Sequence, residues 1–281
     1  MINKLLSFLA VFLIAVSCTE EIEITLDSTY TRLVVDGTIE SDTGIYRVTL
    51  TKSADYFSNT AVPKVVNANV FLSDGDDIFV LQESESGTSG IYETNAGFAG
   101  QVGKNYTLHV ELPEPIAGKN VFEASSVLKP VTRLDSIAAV FHSDWGREGI
   151  WTIKLWAQEP GDEINYYLFN FYRNGVLMTD TITKKVVSDD KFYNGSYMTG
   201  VDVIYINNAH KWETIYPGDI VTLQMSGITK EYFNFIDQVK QAGFSIPFFS
   251  GPPANVQGNI NNGGIGFFTA YSNSFKSAVV K

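Results

Sequence analysis

Residues 68–82, ANVFLSDGDDIFVLQ, decide the fold class that we predict for this chain. Two apolar segments of strand length, residues 68–73 and 78–82, flank the acidic turn 74–77. Hairpin strands are joined by short turns rich in Gly and Asp, because these residues accept the backbone conformations that a reversal requires. The stretch therefore predicts a β-hairpin.

The same pattern of short strands and polar turns continues on both sides of this hairpin. Alternation of apolar and polar side chains is typical of a strand with one buried face. Six or more such strands within about 100 residues are typical of an immunoglobulin-like β-sandwich. We therefore predict such a sandwich over residues 31–128. Its further strands are predicted at residues 32–39, 46–51, 90–93, 106–110 and 121–128.

A second β-rich domain is predicted over residues 129–281. Pro130 marks the joint, because proline favours an extended residue before it. Thr229, an apolar stripe and Gly243 are the features of a capped amphipathic helix, which we place at residues 230–242. The predicted fold class is thus all-β, a tandem β-sandwich whose second member carries one helix. The strands of that second member are predicted at residues 150–156, 166–172, 201–206, 220–225 and 265–271.

The start of the chain has the features of a secretory signal, which we place at residues 1–17. It combines a positive Lys4, an apolar run over residues 5–16 and small residues before Cys18. The run is shorter than the ~20 apolar residues that cross a bilayer. Ala-Val-Ser-Cys, residues 15–18, resembles the lipobox of bacterial lipoproteins, whose cysteine is acylated and becomes the mature N-terminus. The resemblance implies that acyl chains such as palmitate anchor Cys18 in a membrane; the alternative is a buried, inert thiol.

Acidic residues follow Cys18 almost directly, at Glu20, Glu21 and Glu23, within a tether that we assign to residues 18–30. This arrangement resembles the export signal that directs lipoproteins of Bacteroidota to the cell surface. It implies a lipid-anchored protein of the outer membrane, on the cell-surface face. The alternative is a solvated acidic linker with no sorting role.

The composition excludes several classes of function. The formal net charge is −11, and no basic patch is present that would bind the phosphates of nucleic acid. Cys18 is the only cysteine, so no internal disulfide can form. His109, His142 and His210 lie far apart in the sequence and do not show the spacing of zinc ligands. We therefore expect no metal and no cofactor.

The sequence also contains no recognisable catalytic constellation. The Gly-x-Ser-x-Gly turn of serine hydrolases is absent. We interpret the acidic groups at residues 159–163 and 189–190 as solvated loops, although paired carboxylates of glycosidase type stay open as an alternative. The turn 74–77 invites a calcium interpretation, but it lacks the further spaced ligands of an EF-hand loop. We therefore expect no enzymatic activity.

Aromatic side chains near turns are the remaining candidates for contact with a partner or a ligand. They are Trp145, Trp156, Trp212 and Tyr216. Exposed aromatic rings stack on sugars or dock protein partners. The alternative is that they fill the core, as most aromatic residues do.

The C-terminal segments PPANVQGNI, residues 252–260, and GGIGFFTAYS, residues 263–272, are distinctive. With LVVDGTI at residues 33–39 and TKSADYF at residues 51–57, they resemble a Bacteroidota lipoprotein family known as domain of unknown function 4249. The resemblance implies an outer-membrane lipoprotein, often encoded beside TonB-dependent transporters. It implies no reaction and no catalytic residues.

We therefore predict a non-enzymatic accessory subunit. Its partner would be an outer-membrane β-barrel protein, either a TonB-dependent transporter or a larger assembly. The alternative is a module that captures glycan or peptide for uptake, which two or more tryptophans lining one exposed groove would favour. A hydrolase is the third hypothesis, and it requires two carboxylates that converge in a cleft.

Overall fold

The computed structural model describes residues 31–54, 61–243 and 256–281, which belong to one compact unit. These residues are mostly β-strand and include one α-helix, so the predicted all-β fold class is confirmed. The predicted signal peptide and tether, residues 1–30, lie outside the described residues.

Fifteen strands follow one another along the described residues. They are β1 (Leu33–Glu40), β2 (Arg47–Lys52), β3 (Asn69–Ser73), β4 (Ile78–Glu83), β5 (Ile91–Glu93), β6 (Asn105–Ile116), β7 (Lys119–Val127), β8 (Leu134–His142), β9 (Ile150–Gln158), β10 (Tyr166–Arg173), β11 (Val176–Leu177), β12 (Val186–Asp189), β13 (Tyr197–Asn207), β14 (Ile220–Ile228) and β15 (Ile265–Val279). A short 3-10 helix, Ile182–Lys184, precedes β12, and the α-helix α1 spans Lys230–Gly243.

Most of these strands belong to one sheet of twelve strands. Its order is β11-β10-β14-β15-β1-β2-β5-β4-β3-β6-β7, and β12 also pairs with β10. The other three strands form a small sheet with the order β13-β9-β8. β15 connects the two parts of the large sheet, because it pairs with β1 in parallel and with β14 in antiparallel orientation.

The first core lies inside the N-terminal part of the large sheet, which curls until β7 returns to β15. Ser126 of β7 accepts a hydrogen bond from the backbone N–H of Ala270 at 3.0 Å, and Lys129 forms an isolated parallel bridge with Tyr271. The curled sheet encloses a contiguous set of buried apolar side chains. Its most buried members include Leu33, Leu50, Leu72, Tyr106, Leu108 and Phe268.

Asparagine side chains connect β7 and β15, which are not paired neighbours in the sheets of the described residues. Asn259 donates to the carbonyls of Ser125 and Phe268 at 3.1 and 2.8 Å and accepts from the backbone N–H of Phe268 at 2.9 Å. Asn261 accepts from the backbone N–H of Glu123 at 2.7 Å. The distinctive C-terminal string therefore acts as a structural closure of the first core. We call residues 256–264 the closing segment.

The second core lies between the small sheet and β10, β14 and β15 of the large sheet. Trp151, Ile153 and Leu155, which alternate along β9, face this core. On the other face of the large sheet, α1 packs Tyr232 and Ile236 against a third, smaller apolar cluster. β10, which lies where a strand was predicted, is buried on both faces because it lies between the second core and α1.

The change from one core to the next falls near the predicted joint. Leu128 belongs to the first core and Leu134 to the second. β15 contributes to both, with Phe268 in the first core and Ala278 packed against the second. The division into domains at residues 128 and 129 stays a prediction, since one strand serves both cores.

Candidate functional site

The second core is open along one side, where two sheet edges face each other. In the described part of the chain, β12 pairs only with β10, and β13 pairs only with β9. An edge strand presents a row of backbone N–H and C=O groups that no neighbouring strand uses. Both edges of this opening are therefore able to pair with a further strand.

Two adjoining cavities lie between these edges, with volumes of about 220 and 280 Å³. Val186 of β12 and Tyr205 of β13 line both cavities, so we treat the two as one groove and call it the seam groove. Its floor is formed by apolar side chains of the second core. The floor residues are Leu155, Phe169, Phe171, Met178, Met198 and Ile204.

The wall formed by β13 is irregular. Its pairing with β9 shifts register between Thr199 and Val201 and again between Asp202 and Ile204. Such bulges bend a strand and re-aim its side chains. Gly200 has a φ of +66°, and a Cβ there would lie 3.0 Å from the ring of Trp156, so the first bulge requires glycine.

Acidic side chains of the groove wall are paired with lysines. The Asp202 carboxylate lies 2.9 Å from Lys154 Nζ. Burial alone would raise the pKa of Asp202, but hydrogen bonds from Thr152 and Lys154 outweigh it and lower that pKa. Two further acids are paired in the same way, Asp189 with Lys191 and Glu213 with Lys184, each at 2.9 Å.

Exposed aromatic side chains lie near both ends of the seam groove. Phe192, in the turn after β12, is 92% exposed, and its neighbour Tyr193 lines the smaller cavity. Trp212, in the turn after β13, is 90% exposed and lies between His210 and Glu213, which line the larger cavity. Aromatic groups that remain this exposed are available for contact with a partner.

A comparison with family models finds one that matches residues 19–277, described as Domain of unknown function (DUF4249). The chain belongs to this family. The match extends over the first core, the closing segment, the seam groove and nearly all of the second core. No curated protein matches the sequence.

Three of the four predicted aromatic residues of this DUF4249 chain lie toward one end of the small sheet. Trp145, in the turn between β8 and β9, stacks on His142 with ring centroids 4.0 Å apart. That turn is joined to the turn after β13, because Asn208 donates to the carbonyl of Glu148 at 2.9 Å. Trp212 and Tyr216 follow in or directly after this second turn. The structure thus brings together turns that the sequence separates.

Trp156 has a different environment. It lies on the outer face of the small sheet, where it is half-buried and packs over Gly200. Neither cavity of the seam groove is lined by a tryptophan. The predicted lipidation residue Cys18 and the predicted export residues Glu20, Glu21 and Glu23 lie outside the described residues, so they stay predictions.

In the acidic turn of the first hairpin, residues 74–77, the carboxylate oxygens of Asp74 and Asp76 are bound by groups of the protein itself. Asp74 Oδ1 accepts from the backbone N–H groups of Asp76 and Asp77 at 3.0 and 2.8 Å, and these bonds lower the pKa of Asp74. Lys104 completes the pairing, with its Nζ 3.5 Å from Asp74 Oδ2 and in contact with Asp76. The turn is therefore a structural reversal.

Two carboxyl groups of the DUF4249 chain contradict the expectation of solvated loops. Glu159 is 1% exposed and Asp190 is 2% exposed. The side-chain nitrogen of Asn165 donates to both, at 3.4 Å to Glu159 and 3.2 Å to Asp190. The expectation was wrong because the ends of β9 and β12, distant in sequence, are brought side by side by the second core.

Within the described residues, 31–54, 61–243 and 256–281, no group of three or more His, Cys, Asp or Glu side chains is arranged to hold a metal ion. None of the helices in that part of the chain is long and apolar enough to cross a membrane.

Proposed function

We propose that this DUF4249 chain is a non-enzymatic binding protein of the outer membrane, anchored through acylated Cys18 and displayed on the cell surface. Its partner is an outer-membrane β-barrel protein, such as a TonB-dependent transporter or a larger assembly. In this proposal the seam groove receives an extended segment of that partner. The observation that carries the proposal is the apolar groove between two edge strands, β12 and β13.

The chemistry of the groove suits an extended peptide segment. Such a segment adds a strand to an open sheet edge through main-chain hydrogen bonds, while alternate side chains enter the pockets beside it. Each large apolar side chain that the floor buries contributes about 1.5–3 kcal/mol. Since Asp202, Asp189 and Glu213 are paired with lysines, the groove favours an apolar, weakly charged segment.

The geometry of the buried acids supports a role without catalysis. A glycosidase holds its two carboxyl groups about 5–9.5 Å apart on either side of an accessible bond. Glu159 and Asp190 are instead almost fully buried, and one amide nitrogen of Asn165 contacts both. A sugar ring has no access between them.

Purification of the lipidated protein from its native membrane in mild detergent tests this proposal. We expect a β-barrel protein to copurify with the wild type and to be lost with Tyr205→Arg, which places charge at the middle of the groove. Ile78→Arg is the matched control, because Ile78 is similarly exposed, at 66% against 60%, but lies on β4 in the first core's sheet. A protein that purifies alone, or equal recovery with both variants, would contradict the proposal.

A second candidate function is capture of glycan or peptide for uptake. The exposure of Phe192 and Trp212 favours it, since exposed aromatic rings at the ends of a groove are typical of ligand platforms. Titration with a panel of glycans and peptides, followed by tryptophan fluorescence, tests it. A saturable change that is lost in Trp212→Ala and retained in Trp156→Phe is the expected result for capture, and an unchanged spectrum excludes it for that panel.

A further inference from the structure

The buried acids lie where two chain segments meet at one end of the seam groove. Glu159 directly follows β9, and Asp190 directly follows β12. The turn after Asp190 folds onto the end of β9, because Glu159 N–H donates to the carbonyl of Ser196 at 3.0 Å and Gly195 N–H donates to that of Pro160 at 3.1 Å. The carboxyl groups are thus fixed by the backbone of both segments.

Glycines allow the two segments to approach closely. A Cβ on Gly161 would lie 3.1 Å from the Cα of Gly195, and a Cβ on Gly195 would lie 3.4 Å from the Cα of Gly161. The close approach places the turn residue Asn194 near the end of β9. Its backbone N–H donates to the carbonyl of Asp190 at 2.8 Å.

One oxygen of each carboxylate accepts hydrogen bonds from neighbouring side chains. Glu159 Oε1 accepts from Tyr167 Oη at 2.6 Å and from Asn165, and Asp190 Oδ2 accepts from the same asparagine. Glu159 Oε2, Asp190 Oδ1 and Asn194 Oδ1 are buried and accept no hydrogen bond from any group among the described residues. Among the described residues, no lysine, arginine or histidine forms an ion pair with either acid. Two buried carboxylates without a counter-charge are strongly unfavourable in a protein interior.

We propose that Glu159, Asp190 and Asn194 form a binding site for a hard divalent cation of the calcium type. The three unpartnered atoms are all oxygens, which such a cation prefers, whereas soft metals require sulfur or nitrogen ligands. Calcium takes six to eight oxygen ligands, so backbone carbonyls and water complete the shell. The cation supplies the positive charge that the buried pair otherwise lacks.

One competing explanation is a single proton held by the carboxyl pair. Burial raises the pKa of Glu159 to about 7, and a hydrogen bond between its carboxyl group and that of Asp190, together with the repulsion of Asp190, adds to the rise. A protonated Glu159 would remove part of the buried charge without a metal. The two explanations differ in one measurable respect, since only the cation site gives saturable metal binding.

The proposed site has a consequence for the seam groove. Asp190 and Tyr193 line the smaller cavity and belong to the same turn as Asn194. A bound cation would fix this turn against the end of β9 and hold Phe192 and Tyr193 at the groove's end. Metal binding and docking in the groove would therefore favour one another.

Terbium luminescence on the purified, chelator-treated protein tests the site directly. Tb³⁺ replaces calcium in oxygen sites and is excited by energy transfer from nearby tyrosine, and Tyr167 contacts Glu159. We expect a saturable signal at neutral pH that calcium displaces. Glu159→Gln and Asp190→Asn should weaken binding about tenfold or more, because ligand charge sets the affinity of such sites. Asp162→Asn, an exposed neighbouring acid, is the matched control and should bind as the wild type.

Thermal unfolding provides the second readout, which also shows that the variants fold. Calcium should raise the unfolding midpoint of the wild type and of Asp162→Asn, and it should not raise that of Glu159→Gln. If Glu159→Gln fails to fold, Asn194→Ala in the turn serves instead, with weakened terbium binding expected. No saturable signal, or a midpoint that does not respond to calcium, would overturn the metal site and favour the shared proton.

Discussion

Gly266 shows why the distinctive C-terminal segment, residues 263–272, contains glycine at a position inside a strand. Its φ is +97°, and a Cβ there would lie 2.0 Å from the carbonyl oxygen of Val35, its partner in the parallel pairing of β1 and β15. We expect Gly266→Ala to lower the free energy of unfolding by about 3 kcal/mol or more, from overpacking and the left-handed conformation together. Urea unfolding measures the loss.

Gly263 supplies the matched control for this prediction. It also has a positive φ, +81°, but a Cβ there meets nothing within 4 Å. Gly263→Ala should therefore lower the free energy of unfolding by only about 1 kcal/mol, the cost of the backbone conformation. Equal losses for the two variants would show that the close approach to Val35 does not limit the side chain at position 266.

Glu83 is a second residue whose role is set by its contacts. Its carboxylate accepts from the backbone N–H groups of Asn67, Gly87 and Gly90 at 3.1, 2.9 and 3.0 Å. Burial would raise the pKa of Glu83, but these bonds outweigh it and lower that pKa. At acidic pH the folded state therefore binds fewer protons than the unfolded state. The stabilisation that the ionised Glu83 gives the folded state is fully present above the usual glutamate pKa, and it is lost as the pH falls through the lower pKa of the folded state.

We expect Glu83→Gln to lower the free energy of unfolding by about 1 kcal/mol at neutral pH. The difference from the wild type should shrink as the pH falls through the range in which Glu83 is protonated. Urea unfolding at a series of pH values measures both effects, and Glu114→Gln, an exposed acid, is the control. A difference that stays constant down to acidic pH would contradict a role for the carboxylate charge.

The closing segment decides the stability of the first core at the level of elements. Asn259 joins β7 to β15 through its side-chain bonds to the carbonyls of Ser125 and Phe268. Asn259→Ala would leave the carbonyl and the backbone N–H of the buried Phe268 without these bonds, at about 1–3 kcal/mol for each unsatisfied group. We expect a clear drop in the urea midpoint for Asn259→Ala. Asn234→Ala on the exposed side of α1 should change it little, and similar values for the two variants would refute the closure.

Elements with local signals were predictable from the sequence. The strands of the first hairpin, β10 and the capped helix α1 lie where the sequence predicted them. β15 was predicted too short, at residues 265–271, because its second half alternates polar residues that become regular only through pairing with β14.

The candidate site could not be predicted in the same way. β12 is a four-residue edge strand, and the bulges of β13 depend on pairing with β9, so neither leaves a periodic pattern. The buried pair Glu159 and Asp190 is set by the close approach of two turns, which composition does not reveal. The aromatic candidates could be named from the sequence because they lie near predicted turns. Their positions relative to one another could be seen only in the structure.

At the level of the whole molecule, the proposed function combines a membrane anchor with a binding groove. We expect Cys18→Ala to release the protein from the membrane fraction, because one thiol carries the proposed acyl chains. Cell fractionation measures this effect, and membrane attachment of Cys18→Ala would contradict the anchor.

The acidic residues after Cys18 give a separate prediction for the site of display. Replacing Glu20, Glu21 and Glu23 by glutamine should keep membrane attachment and reduce access to protease added outside the cell. Surface proteolysis measures this effect.

Site-specific photo-crosslinking in intact cells tests the central claim most directly. A photoreactive amino acid replaces Tyr205 in the seam groove or Ile78 on β4, two positions of similar exposure. If the partner docks in the seam groove, we expect one discrete crosslink from position 205 to an outer-membrane β-barrel protein and none to that protein from position 78. No discrete product from position 205, or the same product from both positions, would contradict docking through the groove.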